Sequence, residues 1–118
     1  MLAALKFETL MGIPVVRVTG EVDSSNARDL GASLVDAVPN QAMGMVLDLS
    51  ETTYLDSSGI QLLFELAERL ARRQQELRLV VPPESFVADV LAAVNLGGAA
   101  KTDTSIHEAL TALNGSGT

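Results

Sequence analysis

One tripeptide occurs twice in this chain. Asp23-Ser24-Ser25 and Asp56-Ser57-Ser58 each place an acid before two hydroxyls, and each precedes a run with helical spacing. A serine in such a place can cap a helix, attack as a nucleophile or accept a phosphate. Spacing separates these roles. Ser58 and Gln61 stand three apart, the separation of a capping box, in which the serine bonds to the helix backbone and the glutamine reaches back. That commits Ser58 to the cap and leaves Ser57 just outside the helix with its hydroxyl free. Gly59 has no side chain, so another molecule could approach the backbone there. Unpaired N–H groups and the positive end of the helix dipole lie close by. A phosphate on Ser57 would add about −1.5 to −2 charges beside Asp56 and reshape the local surface. The same residues also read as an ordinary cap and turn. The first copy reads that way more simply. Asn26 and Ala27 replace the glycine, and no Glu or Gln lies three residues past Ser24 or Ser25. There Ser24 or Ser25 is expected only to cap.

Nucleophilic catalysis has little support. The G-x-S-x-G elbow is absent. A general base would have to be His107, the sole histidine, inside a helical run near the C-terminus. No Gly-rich phosphate loop appears. Asp23, Asp48 and Asp56 fall at strand ends, but their spacing is no ligand signature. The expectation is a protein with no metal, no cofactor and no turnover of its own.

Composition narrows the class. The 118 residues suit one domain, and 47% are hydrophobic, enough for a core. That core must be aliphatic, since there are three Phe, one Tyr and no Trp. Without cysteine, neither disulfides nor thiolate metal sites can form. No apolar run approaches the ~18–20 residues of a membrane span, and the first residues lack a secretory pattern. A soluble, cytoplasmic protein without membrane insertion is expected. The net charge of −7 argues against nucleic acid, which needs a basic stripe. Arg69, Arg72 and Arg73 instead sit where a helix ends and complement its dipole.

The elements that must hold these residues follow from periodicity. Residues 4–10 and 13–22 read as strands joined by Met11-Gly12, with Pro14 at a strand-entry or edge position. Residues 24–38 read as a helix stopped by Pro39 and Asn40. Residues 44–50 and 77–81 read as buried strands, and 58–73 as the longest helix. Phe86, Val87, Val90, Leu91 and Val94 give the face of a third helix, broken by Gly97 and Gly98. A short extended piece near 99–102 precedes a last helix with a Ser105/Glu108 capping box. Residues 1–113 make the domain and 114–118 a flexible tail. Alternating strands and helices predict an α/β fold, with a mixed, mostly parallel sheet, an N-terminal hairpin and about four helices. On the 58–73 helix, Ile60, Leu63, Leu66, Ala67 and Leu70 share one arc, with Leu62 and Phe64 on its margins. The apolar arc spans roughly 200°, wider than a surface helix needs. Deep burial explains that width. So does a margin, with Ile60 and Phe64, that meets a partner beside Ser57.

The chain resembles a STAS domain of the bacterial anti-sigma-factor antagonist type over about residues 4–113. Gly20-Glu21-Val22-Asp23 with Ala27 is similar to the stretch before that family's first helix. "MVLDLSETTYLDSSGIQLL" resembles its central signature, with Ile60-Gln61 where many members have Leu-Gly, and "IHEAL" resembles its closing helix. The resemblance implies partner switching in transcription regulation. The unphosphorylated form would bind an anti-sigma factor that is also a serine kinase, and so release the sigma factor. Phosphorylation of Ser57 would end binding, and a phosphatase would reset it. Asp23 and Asp56 would be the acidic neighbours of the switch, with Ser58 and Gly59 shaping its loop. A second type of STAS domain implies a different role, as a non-switching regulatory subunit of a lipid-transport or other membrane-transport complex.

Overall fold

Met11 and Gly12 both adopt positive φ, 55° and 78°, as a two-residue type I′ hairpin turn requires. They join β1 (Ala4–Leu10) to β2 (Ile13–Val22). The computed structural model describes residues 3–96 and 99–115. After β2 come α1 (Ala27–Asp36), β3 (Gly44–Asp48), β4 (Thr52–Leu55), α2 (Ser57–Arg72) and β5 (Glu76–Val80). The chain continues through α3 (Phe86–Ala93), β6 (Lys101–Asp103) and α4 (Ile106–Gly115). The strand order is β1-β2-β3-β5-β6, with β4 also paired to β2. Among the described residues only the hairpin is antiparallel, and every later pairing is parallel. The mixed, mostly parallel sheet, the opening hairpin and the four helices are as predicted.

Helices on both faces require strands that are apolar on both sides. In β2, Val16, Val18 and Val22 point into one cluster, while Ile13 and Val15 point into the other. In β3, Met45 and Leu47 oppose Val46, and in β5, Leu77 and Leu79 oppose Val80. The larger cluster lies under α1, α2 and α3, where α2 contributes Leu62, Leu63, Leu66, Ala67 and Leu70. The smaller lies under α4, closed by Ala109, Leu110 and Leu113. This two-sided burial explains the unbroken apolar runs of β3 and β5.

Several boundaries differ from expectation. The first helix begins at Ala27 rather than at residue 24, because residues 23–26 form a turn of their own. β4 was not foreseen at all. Of the expected apolar face of α3, Val87 and Leu91 are buried, while Phe86 and Val94 are exposed. The Ser105 hydroxyl accepts from Glu108 N at 3.1 Å, as a capping box would have it. The Glu108 carboxylate, however, turns to Thr104, accepting from its N–H at 2.8 Å and its hydroxyl at 2.6 Å. The predicted break at Gly97 and Gly98 lies outside the described residues. Of the predicted tail, Asn114 and Gly115 belong to α4, and 116–118 lie outside the described residues.

β6 is three residues long and is held by side chains as much as by its ladder. Arg78 on β5 forks onto Asp103, 2.9 Å to each carboxylate oxygen, and also reaches Glu76 at 2.6 Å. The Asp103 bonds, then the Glu76 bond, raise the Arg78 pKa further above its ordinary value. Bidentate, half-desolvated pairs are the strong ones. Asp103→Ala should therefore lower the unfolding free energy by about 1–3 kcal/mol, read by urea denaturation. Lys101→Ala, on the same strand but exposed, should stay within about 0.5 kcal/mol.

Candidate functional site

β2 is longer than any strand beside it, so two strands share one of its edges. β3 pairs with Val15, Val16 and Arg17, then turns away after Asp48. β4 takes over at Gly20, Glu21 and Val22, with a register shift between Gly20 and Glu21. The gap between the two leaves backbone groups to satisfy. The Thr52 hydroxyl donates to Val18 O at 2.8 Å, and Gly20 N donates to Glu51 O at 3.1 Å. Val22 ends opposite Leu55, and Asp56 N donates to Val22 O at 3.3 Å. The two Asp-Ser-Ser copies thus leave the sheet side by side, at the carboxyl ends of adjacent parallel strands. Open α/β sheets bind their ligands outside such ends.

The second copy starts α2, though not through the residue expected. Asp56 is still extended, at φ −99° and ψ −170°, and its carboxylate accepts from Ser58 N at 2.9 Å and Gly59 N at 3.2 Å. Asp56 is therefore the N-cap, and the predicted Ser58–Gln61 capping box does not form. Gln61 instead donates to Glu65 at 3.0 Å. The reason is where the strand ends. The chain stays extended through Asp56, so Ser57 is already the first helical residue and Ser58 the second. Aspartate caps as well as serine does, and it stands two residues upstream of Ser58.

Ser57 is exposed, and its hydroxyl makes no hydrogen bond among the described residues. Its freedom comes from its place in the first turn, not from a cap at Ser58. Ser58 is half-buried and faces a groove of about 470 Å³ between α1 and α2, shared with Ser24, Arg28, Glu65 and Arg69. Gly59 does not open the backbone to visitors. It is buried, and a Cβ there would meet Leu55 Cδ1 at 2.5 Å and Val22 Cγ1 at 3.2 Å. The glycine seats the helix start directly on the ends of both strands. Ile60 and Phe64 are half-buried at the rim of the larger cluster.

The first copy forms a turn rather than a cap. The Asp23 carboxylate accepts from Ser25 N at 2.9 Å and from the Ser25 hydroxyl. The Asn26 side chain accepts from Asp23 N at 3.0 Å and donates to Glu21 O at 2.9 Å. Asn26 precedes α1 without a side-chain bond to it, so neither Ser24 nor Ser25 caps. The Ser25 hydroxyl, then its amide, hold the Asp23 carboxyl below its ordinary pKa. The result is a fixed negative charge beside the Ser57 turn.

Among the described residues no three His, Cys, Asp or Glu side chains gather as a metal site. Asp23, Asp48 and Asp56 are each engaged separately, Asp48 by Ser50 N at 3.0 Å and Arg17 at 3.5 Å. His107 is exposed on α4, across the sheet from α2. One feature of the surface escaped sequence reasoning. Tyr54 on β4 stacks on Phe86 of α3, centroids 6.0 Å apart and planes 18° from parallel, with both rings more than two-fifths exposed. The helical spacing of Phe86 shows in the sequence, but β4, which carries Tyr54, does not.

A family model described as "Mlab, STAS domain" matches residues 9–111. The chain belongs to the STAS domain family. This STAS domain is 26% identical over 105 residues to the anti-sigma-F factor antagonist RsfB of Mycobacterium tuberculosis, covering 88% of this chain and 84% of that protein. It is 32% identical over 75 residues to BtrV of Bordetella bronchiseptica, a relative named for anti-sigma factor antagonism. That match covers 64% of this chain and spans 65% of BtrV, just under two thirds of its length. The fold is shared with an anti-sigma factor antagonist from Mycobacterium paratuberculosis, at TM-score 0.84 and 24% identity, over 96% and 95% of the two chains. It is shared also with SpoIIAA of Bacillus in its phosphorylated form, at TM-score 0.66 and 19% identity, over 93% and 99%.

The two caps can be told apart by experiment. Asp56→Ala should cost about 1–2 kcal/mol, the loss of an N-cap, whereas Ser58→Ala should stay within about 0.5 kcal/mol, both from chemical denaturation. Asp23 can be followed by pH. Its folded pKa lies below its unfolded value of 3.8, so its stabilisation is present above that value and is lost as the pH falls through the folded one. In Ser25→Ala, a carbon-13 NMR titration of the Asp23 carboxyl should show its pKa moved up.

Proposed function

We propose that this STAS domain is an anti-sigma-factor antagonist whose binding is switched by phosphorylation of Ser57. One observation carries the reading: an exposed, unbonded hydroxyl in the first turn of α2, beside a carboxylate that cannot move away. In the unphosphorylated form, the surface around Ser57, with Asp23, Asp56, Ser58, Ile60 and Phe64, binds an anti-sigma factor that has serine kinase activity, and the sigma factor is released. The kinase transfers a phosphate from ATP to Ser57, and the complex parts. A phosphatase hydrolyses the ester and restores binding. The names of RsfB and BtrV support the antagonist role, and a SpoIIAA structure in phosphorylated form supports a phosphate on this fold. The work is cytoplasmic, where sigma factors act. With eight Lys and Arg against fifteen Asp and Glu, the chain acts on transcription through a protein partner and not through DNA.

On this reading one phosphate suffices. A negative charge at a helix N-terminus is favourable, so α2 is not melted by it. The Asp56 carboxylate is held by two backbone N–H groups and cannot rotate away from the new charge. The penalty therefore falls on the interface, where juxtaposed like charges cost several kcal/mol. Each ~1.4 kcal/mol is tenfold in affinity.

A second reading, as a non-switching regulatory subunit of a lipid-transport or other membrane-transport complex, is favoured by the description of the matching family model, which names Mlab and no sigma factor. It needs the rim of α2 but no reactive serine. Mass spectrometry after incubation with the cognate kinase and ATP should place the phosphate on Ser57. Ser57→Ala should bind the kinase constitutively, and Ser57→Glu should bind at least about a hundredfold more weakly. Circular dichroism of the phosphorylated protein should match that of the unmodified one. Phosphate on Ser58, Ser24 or Ser25 would refute the site. No phosphorylation, with a transporter ATPase co-purifying regardless of Ser57→Glu, would establish the second reading.

A further inference from the structure

One side of the sheet ends in β1, and no strand among the described residues pairs with its outer edge. The hairpin turn sets the phase of that edge. In a hairpin closed by a two-residue turn, the flanking pair exchanges both hydrogen bonds, and bonded and non-bonded pairs then alternate. Leu10↔Ile13 is that flanking pair. It follows that Ala4, Lys6, Glu8 and Leu10 bond to β2, while Leu5, Phe7 and Thr9 turn their N–H and C=O groups outward. Pro14 agrees with this phase. It stands opposite Thr9, a position at which β1 asks no N–H of β2.

Edge strands are usually blunted by proline, a bulge or charge. β1 has no proline, and its register with β2 runs without a shift from Leu10 to Ala4. Its outward residues include Phe7, which at 52% is the most exposed aromatic ring among the described residues. Its charges are arranged in a particular way. Lys6 and Glu8 flank Phe7 on the opposite face of the strand. Within one copy Lys6 faces Arg17, a like charge, and no carboxylate bridges it among the described residues. Arg17 has carboxylates of its own, Glu8 at 3.6 Å and Asp48 at 3.5 Å.

We propose that two copies of this chain pair antiparallel along β1, about a two-fold axis at Phe7. In that register Phe7 faces Phe7 as a hydrogen-bonded pair, and Leu5 of each copy faces Thr9 of the other in the same way. These are the residues whose backbone groups point outward. Lys6 of each copy then faces Glu8 of the other in the close, non-bonded positions, where cross-strand charge pairs are most effective. One pair of opposite charges, repeated by the two-fold axis, makes the edge complementary to itself. A shift of one residue would put Phe7 across from a residue whose hydrogen bonds already go to β2. The pairing joins two sheets into one of twelve strands, from the six of each copy, and does not depend on the reading of Ser57.

Sedimentation of the pure protein from about 1 µM to about 500 µM should show a concentration-dependent dimer. Lys6→Glu and Glu8→Lys each destroy the complementarity, so each alone should weaken association at least about tenfold. An equimolar mixture of the two variants restores two opposite-charge pairs and should associate again, as should the double variant Lys6→Glu/Glu8→Lys. Amide hydrogen exchange on the unaltered chain gives a reading free of any variant. The amides of Leu5, Phe7 and Thr9 should be protected at high concentration and exchange freely at low concentration. A monomer across the whole range, a dimer indifferent to the single reversals, or a mixture that fails to associate would each overturn the proposal.

Discussion

Everything near Ser57 depends on one edge of β2 being divided between two strands. β3 holds the first part of that edge and β4 the last. If β3 ran on along β2, the residues after Asp48 would occupy the place of β4, and α2 would start elsewhere. The hand-over is kept in place by small polar groups. Thr52 supplies a hydroxyl to a carbonyl that no strand reaches, and Glu51 supplies a carbonyl to Gly20 N. Buried backbone groups left unpaired are costly, so these two bonds fix where β4 begins. Four residues later Asp56 reaches Val22.

From there the site is assembled by contact rather than by chemistry. Gly59 allows α2 to sit on Leu55 and Val22. Asp56 binds the first turn, and Asn26 ties the other loop to Glu21. Each acid is already engaged in a local bond, so the electrostatic field at the serine is built into the scaffold. On the proposed reading, a charge added at Ser57 changes what the surface attracts and not its shape. That is the physical difference between this surface and a loop that orders on phosphorylation.

Much of this was legible in the residues, and the exceptions have reasons. The hairpin, β3, β5 and α2 are long or apolar enough for their periodicity to show. β4 has four residues, two of them threonine, and four positions cannot display a period. The cap was misplaced because Ser58 and Gln61 have the right separation, while nothing in a one-dimensional reading shows that the chain is still extended at Asp56. Gly59 reads as an opening in one dimension because the side chains that fill its space, Leu55 and Val22, come from two different strands. Phe86 shares helical spacing with Val90, yet its ring stays 45% exposed and stacks on Tyr54 of β4, a strand too short to show in the sequence. Local order is written in local sequence. The convergence of residues 22 and 55 is not.

That convergence bears on how a modifying enzyme would tell a finished molecule from an unfinished one. The serine, its acidic neighbours and the floor beneath them come from two stretches of chain that meet only when β4 has docked on β2. A ribosome-bound chain, a proteolytic fragment or a short peptide centred on Ser57 carries the hydroxyl without the surroundings. An enzyme that grips this surface therefore inspects tertiary structure before it acts. Under the proposed phosphoswitch, labelling would be restricted to molecules already able to bind the proposed partner, and the pool of marked protein would count folded copies rather than synthesised ones.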